Sequence, residues 1–357
     1  MIYVNNKFTL FQLILNMIKK VKLCSKCVIN INSTYVNSVE NKCSYCSKFE
    51  KYYDNLIWRL KNKEGSFTEK INERKWRWDY DCLVMVSWWK DSIMTLYKIV
   101  QETDLRPLAY TFDNWFESQE ALSNIQNAVD VLEVDWILDK PWYMKKIIIS
   151  ILKDKVPISI CRFCSPLMLN RAIKLAWINK IPYLITGWNK GQSDKEPSRF
   201  LLRKISSKSL DKLIWKYHFM KNIWLHEYEN LNLLENNSIE ILSPWVFEKR
   251  NTEKYMKIIN NKLWWKTPKQ SYPKKSTNCT LNFLQVVLSR KYFGYTHYDC
   301  EESSLINYWE KTKNESIDLL DMDIDTNIIN DILKKLNLSL EDIWLTKREL
   351  LKYSTFL

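Results

Sequence analysis

Short apolar runs alternate with helical segments between Tyr80 and Gly187, and this alternation constrains the fold more than any other feature of the chain. Residues 81–87 (DCLVMVS), 107–113 (PLAYTFD), 134–139 and 182–187 (PYLITG) read as strands, and a further strand is expected near 239–242. Residues 92–102, 117–132, 142–154 and 166–179 carry helical patterns. Strands that run nearly unbroken in apolar residues are buried on both faces, and neighbouring parallel strands need a crossover long enough for a helix. The spacing therefore predicts an α/β fold with a doubly wound, mainly parallel sheet.

Around that sheet the 357 residues divide into an unassigned leader (1–22), a cysteine module (23–50), a helical linker (51–78), the α/β domain (79–245) and a mostly helical C-terminal region (246–357). Within the leader, the apolar stretch 8–18 contains Gln12 and Asn16 and precedes Lys19, Lys20 and Lys22. A secretory signal carries its positive residues ahead of the apolar run, and a membrane span needs about 20 apolar residues, so a cytoplasmic protein without a membrane span is expected. The formal net charge of +13 suits phosphate-rich partners, and equally a Lys-, Asn- and Ile-rich composition. The only histidines, His218, His226 and His297, show no ligand spacing.

The nine cysteines fall largely in CxxC pairs, which points to a reducing compartment and metal binding. Cys24, Cys27, Cys43 and Cys46 have the spacing of a closed, tetrahedral four-Cys zinc site, which stabilises a segment too short to bury a core of its own. Cys161 and Cys164 form a third pair. Together with Cys279 they suit an iron–sulfur site such as a [4Fe–4S] cluster with an open iron, a dithiol sulfur carrier, a second zinc, or simply buried thiols. Cys82 lies inside the first strand and reads as core.

Glycine is the anomaly. A chain of this length should hold about 25 glycines at a usual frequency of roughly 7%, yet it has 4, alongside 17 tryptophans. The two counts together approach the glycine expected, which suggests that many of these tryptophans stand where the gene specifies glycine through UGA codons. Trp76, Trp78, Trp115 and Trp309 occupy such places, whereas Trp215 and Trp224 read as core aromatics. The first strand runs into Ser87-Trp88-Trp89-Lys90-Asp91-Ser92 at the start of a helix. With glycine at 88 and 89 this becomes SGGKDS, a loop whose bare backbone amides can approach a pyrophosphate at a helix N-terminus. Two adjacent indoles would fill that cradle.

So read, the loop resembles the PP-loop ATP pyrophosphatases of the adenine nucleotide alpha hydrolase superfamily, which implies a HUP-like fold. The zinc-type cysteines, Thr186-Gly187 followed by Gly191-Gln192, and residues 303–315 resemble its N-acetyl sugar amidotransferase branch, which serves lipopolysaccharide and pseudaminic-acid-type sugar synthesis. The likeness spans about residues 22–335. That branch carries arginines where this chain has Asn307 and Lys313, which weakens a bidentate phosphate role there.

The resemblance implies ATP and Mg²⁺ as cofactors beside Zn²⁺, with Lys90 and Asp91 catalytic. It implies that Ser87, Lys90, Ser92 and the backbone of Trp88 and Trp89 hold pyrophosphate. Asp91 would support the loop or Mg²⁺, Asp113 would lie by the nucleotide, and Gly187 would line the floor. The partners implied are a sugar nucleotide and a separate glutaminase subunit that supplies ammonia. The tRNA 2-thiolation branch is the alternative: it uses the same loop, and Cys161, Cys164 and Cys279 resemble its cluster ligands. Its tRNA would be met by the Lys-rich stretch 249–275 with Trp264, Trp265 and Tyr272. A zinc-binding paralogue without catalysis follows if Trp88 and Trp89 are genuine.

Overall fold

The computed structural model describes residues 21–51, 71, 79–87, 89–154, 159–192, 211–228, 239–247, 251–267, 271–274 and 279–355. Residues 1–20, most of the expected linker, Trp76, Trp78 and Trp88, and parts of the Lys-rich stretch 249–275 lie outside the described residues.

A two-stranded antiparallel hairpin, β1 (Ser38–Val39) and β2 (Lys42–Cys43), belongs to the cysteine module. The main sheet contains β3 (Cys82–Met85), β4 (Pro107–Phe112), β5 (Trp136–Asp139), β6 (Tyr183–Ile185) and β7 (Glu240–Leu242). All neighbours pair in parallel, in the order β5-β4-β3-β6-β7. The chain moves outward from β3 through β4 to β5, returns, and continues through β6 to β7. The direction reverses between β3 and β6, the place where a doubly wound sheet opens a crevice beyond the carboxyl ends of its strands.

The strands follow from their composition. All four residues of β3 are buried, and their alternation divides them between two cores, with Leu83 and Met85 in one and Cys82 and Val84 in the other. Four helices flank the first four sheet strands: α1 (Lys90–Glu102), α2 (Gln119–Leu132), α3 (Met144–Lys153) and α4 (Cys161–Ile178). Ser118 caps α2 by accepting from the Ala121 amide at 3.1 Å. After α5 (His218–Tyr228) and the short α6 (Pro244–Phe247), the described elements that follow are helices: α7 (Thr252–Lys262), α8 (Leu281–Phe293), α9 (His297–Asn307), α10 (Lys313–Leu320), α11 (Thr326–Leu336) and α12 (Lys347–Ser354). Capping boxes at Thr296/Asp299, Thr312/Glu315 and Thr346/Glu349 start α9, α10 and α12.

Two expectations change. α4 begins at Cys161 rather than at Pro166, so Pro166 lies inside the helix and costs it one ladder bond. Trp215 is not a core aromatic: it is 73% exposed. The Trp224 side chain lies outside the described residues. Cys82 is fully buried, as its strand position requires. No helix among the described residues is long and apolar enough to cross a membrane.

The cysteine module docks on the turn between α8 and α9. Asn30 donates to the Gly294 carbonyl at 3.0 Å, Ser33 to the Phe293 carbonyl, and the Tyr45 and Tyr295 hydroxyls meet at 3.2 Å. Gly294 takes φ +74° to end α8, and a Cβ there would lie 3.3 Å from that of Ser33.

Candidate functional site

The crevice at the sheet's carboxyl edge is built by the segment after β3. The Ser92 hydroxyl accepts from the Ser87 amide at 2.9 Å and lies 3.1 Å from the Ser87 hydroxyl and 2.8 Å from the Trp89 carbonyl. These contacts hold Ser87 against the start of α1. Trp89 is the N-cap residue, and no side chain caps the helix. The positive end of α1 therefore points out of the sheet edge, as an anion site requires. The Trp89 indole lies 6.1 Å from the Tyr298 ring of α9. Lys90 opens the helix, half-buried. Asp91 is buried, and its carbonyl accepts from Thr95 at 2.7 Å and from the indole of Trp245 at 3.1 Å.

Gly187 follows β6. A Cβ there would come within 2.8 Å of the Ser92 Cα and amide nitrogen, so the strand end passes α1 at a distance only glycine permits. Asp113, at the end of β4, is 1% exposed, accepts from the Trp115 amide at 2.6 Å and pairs with Lys140 at 2.5 Å. Ser87, Lys90, Asp91, Ser92 and Gly187 thus converge where β3 and β6 end, with Asp113 on the neighbouring strand.

Four tryptophans adopt a conformation that disfavours side chains. Nine described non-glycine residues have left-handed φ, and four of them are Trp115 (77°), Trp264 (51°), Trp309 (55°) and Trp344 (53°). Trp309 follows the C-cap of α9, where its amide reaches the Ile306 carbonyl at 3.1 Å and the Glu310 amide reaches Leu305 at 2.9 Å. Trp344 repeats this pattern with Glu341 and Leu340. Both are Schellman caps with indoles in the glycine position. Trp245 differs: it is 1% exposed and donates to Thr95 at 2.7 Å, a tryptophan that the core uses.

The four cysteines of the N-terminal module meet fully buried. Cys24 and Cys46 sulfurs lie 3.9 Å apart, Cys27 and Cys43 3.6 Å apart, and all four ligand atoms fall within 4.8 Å of one another. A zinc ion at Zn–S distances of about 2.3 Å requires sulfurs roughly 3.8 Å apart, so the cluster is arranged to hold a metal such as zinc. The Cys43 amide donates to the Cys24 sulfur at 3.2 Å, and the Asn307 amide to Cys46 at 3.6 Å. Lys313 Nζ reaches the Cys24 carbonyl at 2.6 Å. Asn307 and Lys313 therefore face the cysteine module.

Cys161 and Cys164 lie in the first turn of α4, and Cys279 just before α8. The Asn114 side-chain amide donates to the Cys279 sulfur at 3.5 Å. Burial pushes the Cys164 and Cys279 thiols up. Among the described residues only the four N-terminal cysteines are compact enough for a single ion; the middle trio is spread more widely, which disfavours a second single-zinc site. Beside it stands Glu117. The residue is half-buried overall, but both carboxylate oxygens are enclosed without a hydrogen-bond partner, and burial, with Asp113 nearby, raises its pKa well above the usual value. Asn114 and Glu117 carry no sequence signal; they matter only because β4 delivers them to the cysteines.

No family model matches the chain. It is similar to a protein of Methanocaldococcus jannaschii described only as uncharacterised, with 28% identity over 166 residues. The match takes in 46% of this chain and spans 58% of that relative's length.

Proposed function

We propose that the native protein is a PP-loop ATP pyrophosphatase of HUP-like fold, with glycine at positions 88 and 89. The observation that carries this reading is the Ser87–Ser92 contact at the end of the central strand, facing Gly187 where the sheet's winding reverses. The left-handed Trp115, Trp264, Trp309 and Trp344 support glycine decoding across the chain. The gene decides that point, since UGG codons at 88 and 89 would rule it out.

The α1 amides and Lys90 hold pyrophosphate, and Ser87 and Ser92 complete the cradle. A substrate carbonyl oxygen attacks the α-phosphorus of ATP, the bond to the bridging oxygen breaks, and pyrophosphate leaves. A nitrogen nucleophile then adds to the activated carbon, and AMP departs with the former carbonyl oxygen. Mg²⁺, when bound, neutralises phosphate charge, with Asp91 and Asp113 the nearby carboxylates. The loop contributes positioning and electrostatic stabilisation. The substrate in this reading is an N-acetyl sugar nucleotide, with ammonia delivered by a separate glutaminase.

One observation favours a second reading, tRNA 2-thiolation. Asn114 donates to Cys279, and burial raises the Cys164 and Cys279 thiols beside Glu117, so three cysteines that are not compact enough for a single ion share the neighbourhood of β4's carboxyl end. Anaerobic purification of the chain with glycine at 88 and 89 separates the two. Zinc alone, with AMP and pyrophosphate released in the presence of a sugar nucleotide and ammonia, supports the amidotransferase. Iron with acid-labile sulfide supports thiolation. Absence of ATP binding in that protein refutes both.

A further inference from the structure

We infer that α9 acts as a strut that ties the four-Cys centre to the loop closing the nucleotide crevice, with Asn307 and Glu301 as its positioning residues. This rests on the PP-loop reading for its consequence, but the mechanical link stands on contacts already in the fold.

One end of α9 is fastened to the cysteines. Asn307 donates to the Cys46 sulfur and to the Ser303 carbonyl, while Lys313, just beyond the helix, holds the Cys24 carbonyl. The middle of the helix is fastened to residues 189–192. Glu301 accepts from Asn189 at 2.8 Å and from Gln192 at 3.3 Å, and both Glu301 and Asn189 are buried. A Cβ on Gly191 would lie 2.7 Å from the Glu301 carbonyl, so this turn rests directly on the helix backbone. Lys190 pairs with Glu310 at 2.7 Å. The same segment begins at Gly187, which touches the backbone of Ser92.

Physical coupling follows from burial. Residues 300–307 of α9 are buried throughout, so the helix cannot roll one face into solvent to absorb a shift at either attachment. Glu301 and Asn307 are six residues apart, about 9 Å along a rigid rod. A metal held by the four cysteines would fix Cys46 and with it Asn307, while Glu301 holds Asn189 and Gln192 against the crevice. When the metal leaves, four buried thiols lose the ion that organises them, and the rod loses its anchor.

Hydrogen exchange of the full chain, read by mass spectrometry, tests this. With zinc removed by a chelator under reducing conditions, amides in 187–192 should exchange about tenfold faster, the loss expected from one or two buried hydrogen bonds. Strands β4 and β5 should stay protected. Glu301→Ala should give the same opening at 187–192 with zinc retained, and Glu301→Gln, which keeps an acceptor for Asn189, should restore most of the protection. Asn307→Ala should loosen both the cysteine module and 187–192. If 187–192 stays protected in Asn307→Ala and Glu301→Ala, the strut is refuted. Should zinc removal unfold the chain, those two zinc-loaded variants still decide the question. In the chain with glycine at 88 and 89, Glu301→Ala should weaken ATP binding about tenfold. If no form binds ATP, the nucleotide reading fails while the exchange result still judges the strut.

Discussion

Left-handed tryptophans provide a test of glycine decoding that needs no enzyme assay. Trp264, Trp309 and Trp344 are 62%, 64% and 62% exposed, and each has φ near +50°. Replacing each with alanine and with glycine removes the same indole, so the pair differs only in the Cβ. A Cβ in this conformation costs about 1–2 kcal/mol, and glycine's extra unfolded-state freedom returns about 0.5–1 kcal/mol of that. Glycine should therefore be more stable than alanine by roughly 0.75 kcal/mol at each position. The three sites lie apart on different elements, so the triple variants should differ by about 2 kcal/mol. Trp177 is the control: it is 53% exposed in the last turn of α4, where glycine should be worse than alanine by up to about 1 kcal/mol. Urea unfolding followed by far-UV circular dichroism measures all four pairs without relying on indole fluorescence. If alanine equals or exceeds glycine at 309 and 344 as it does at 177, the left-handed caps are not what sets these positions apart. Trp115 is set aside, because its indole donates to the Pro141 carbonyl at 2.8 Å and lies between Lys140 and Lys145.

Three further outcomes are expected. Gly187→Ala forces a methyl into the Ser92 backbone and should destabilise by about 1–3 kcal/mol in urea unfolding; an unchanged midpoint would mean the two segments are not in close contact. Glu117→Gln should gain stability over the parent as pH rises above about 4.5. The folded state holds the Glu117 proton more tightly than the unfolded chain, so the parent loses stability as pH climbs toward the raised value. Stability curves that run parallel from pH 4 to 8 would contradict the buried, unpartnered carboxyl. Cys46→Ser should abolish stoichiometric zinc, measured by atomic absorption, and lower thermal stability; full zinc retention would exclude the four-sulfur site.

Much of the sheet was legible because its information is local. Nearly unbroken apolar runs and the helices between them place β3 to β7 within a residue or two, since burial on both faces leaves few residue choices. The start of α4 was not legible: Pro166 signals a helix beginning, yet packing of Phe163, 1% exposed, outweighs the lost ladder bond. Trp215 misled for a related reason, since an aromatic on a helix looks like core until its face is known. Residues of the candidate site divide in the same way. Ser87, Lys90, Asp91, Ser92 and the four N-terminal cysteines are contiguous or regularly spaced, so sequence alone finds them. Asn114, Glu117, Glu301 and Asn307 carry no spacing pattern, and each gains meaning from a partner more than 70 residues away or from burial.

By itself the amino-acid order determined the strand–helix alternation, the tetrahedral cysteine spacing and the loop at the first strand's end, because each depends on side-chain type repeated at short range. It also carried the glycine deficit and marked Trp115 and Trp309 as glycine-like positions. Only the tertiary structure added Trp264 and Trp344, through their left-handed φ, and the close approach at Gly187, both of which depend on how the segments pack. The same packing set the buried α9 between the cysteine centre and the crevice, an arrangement that no local pattern encodes.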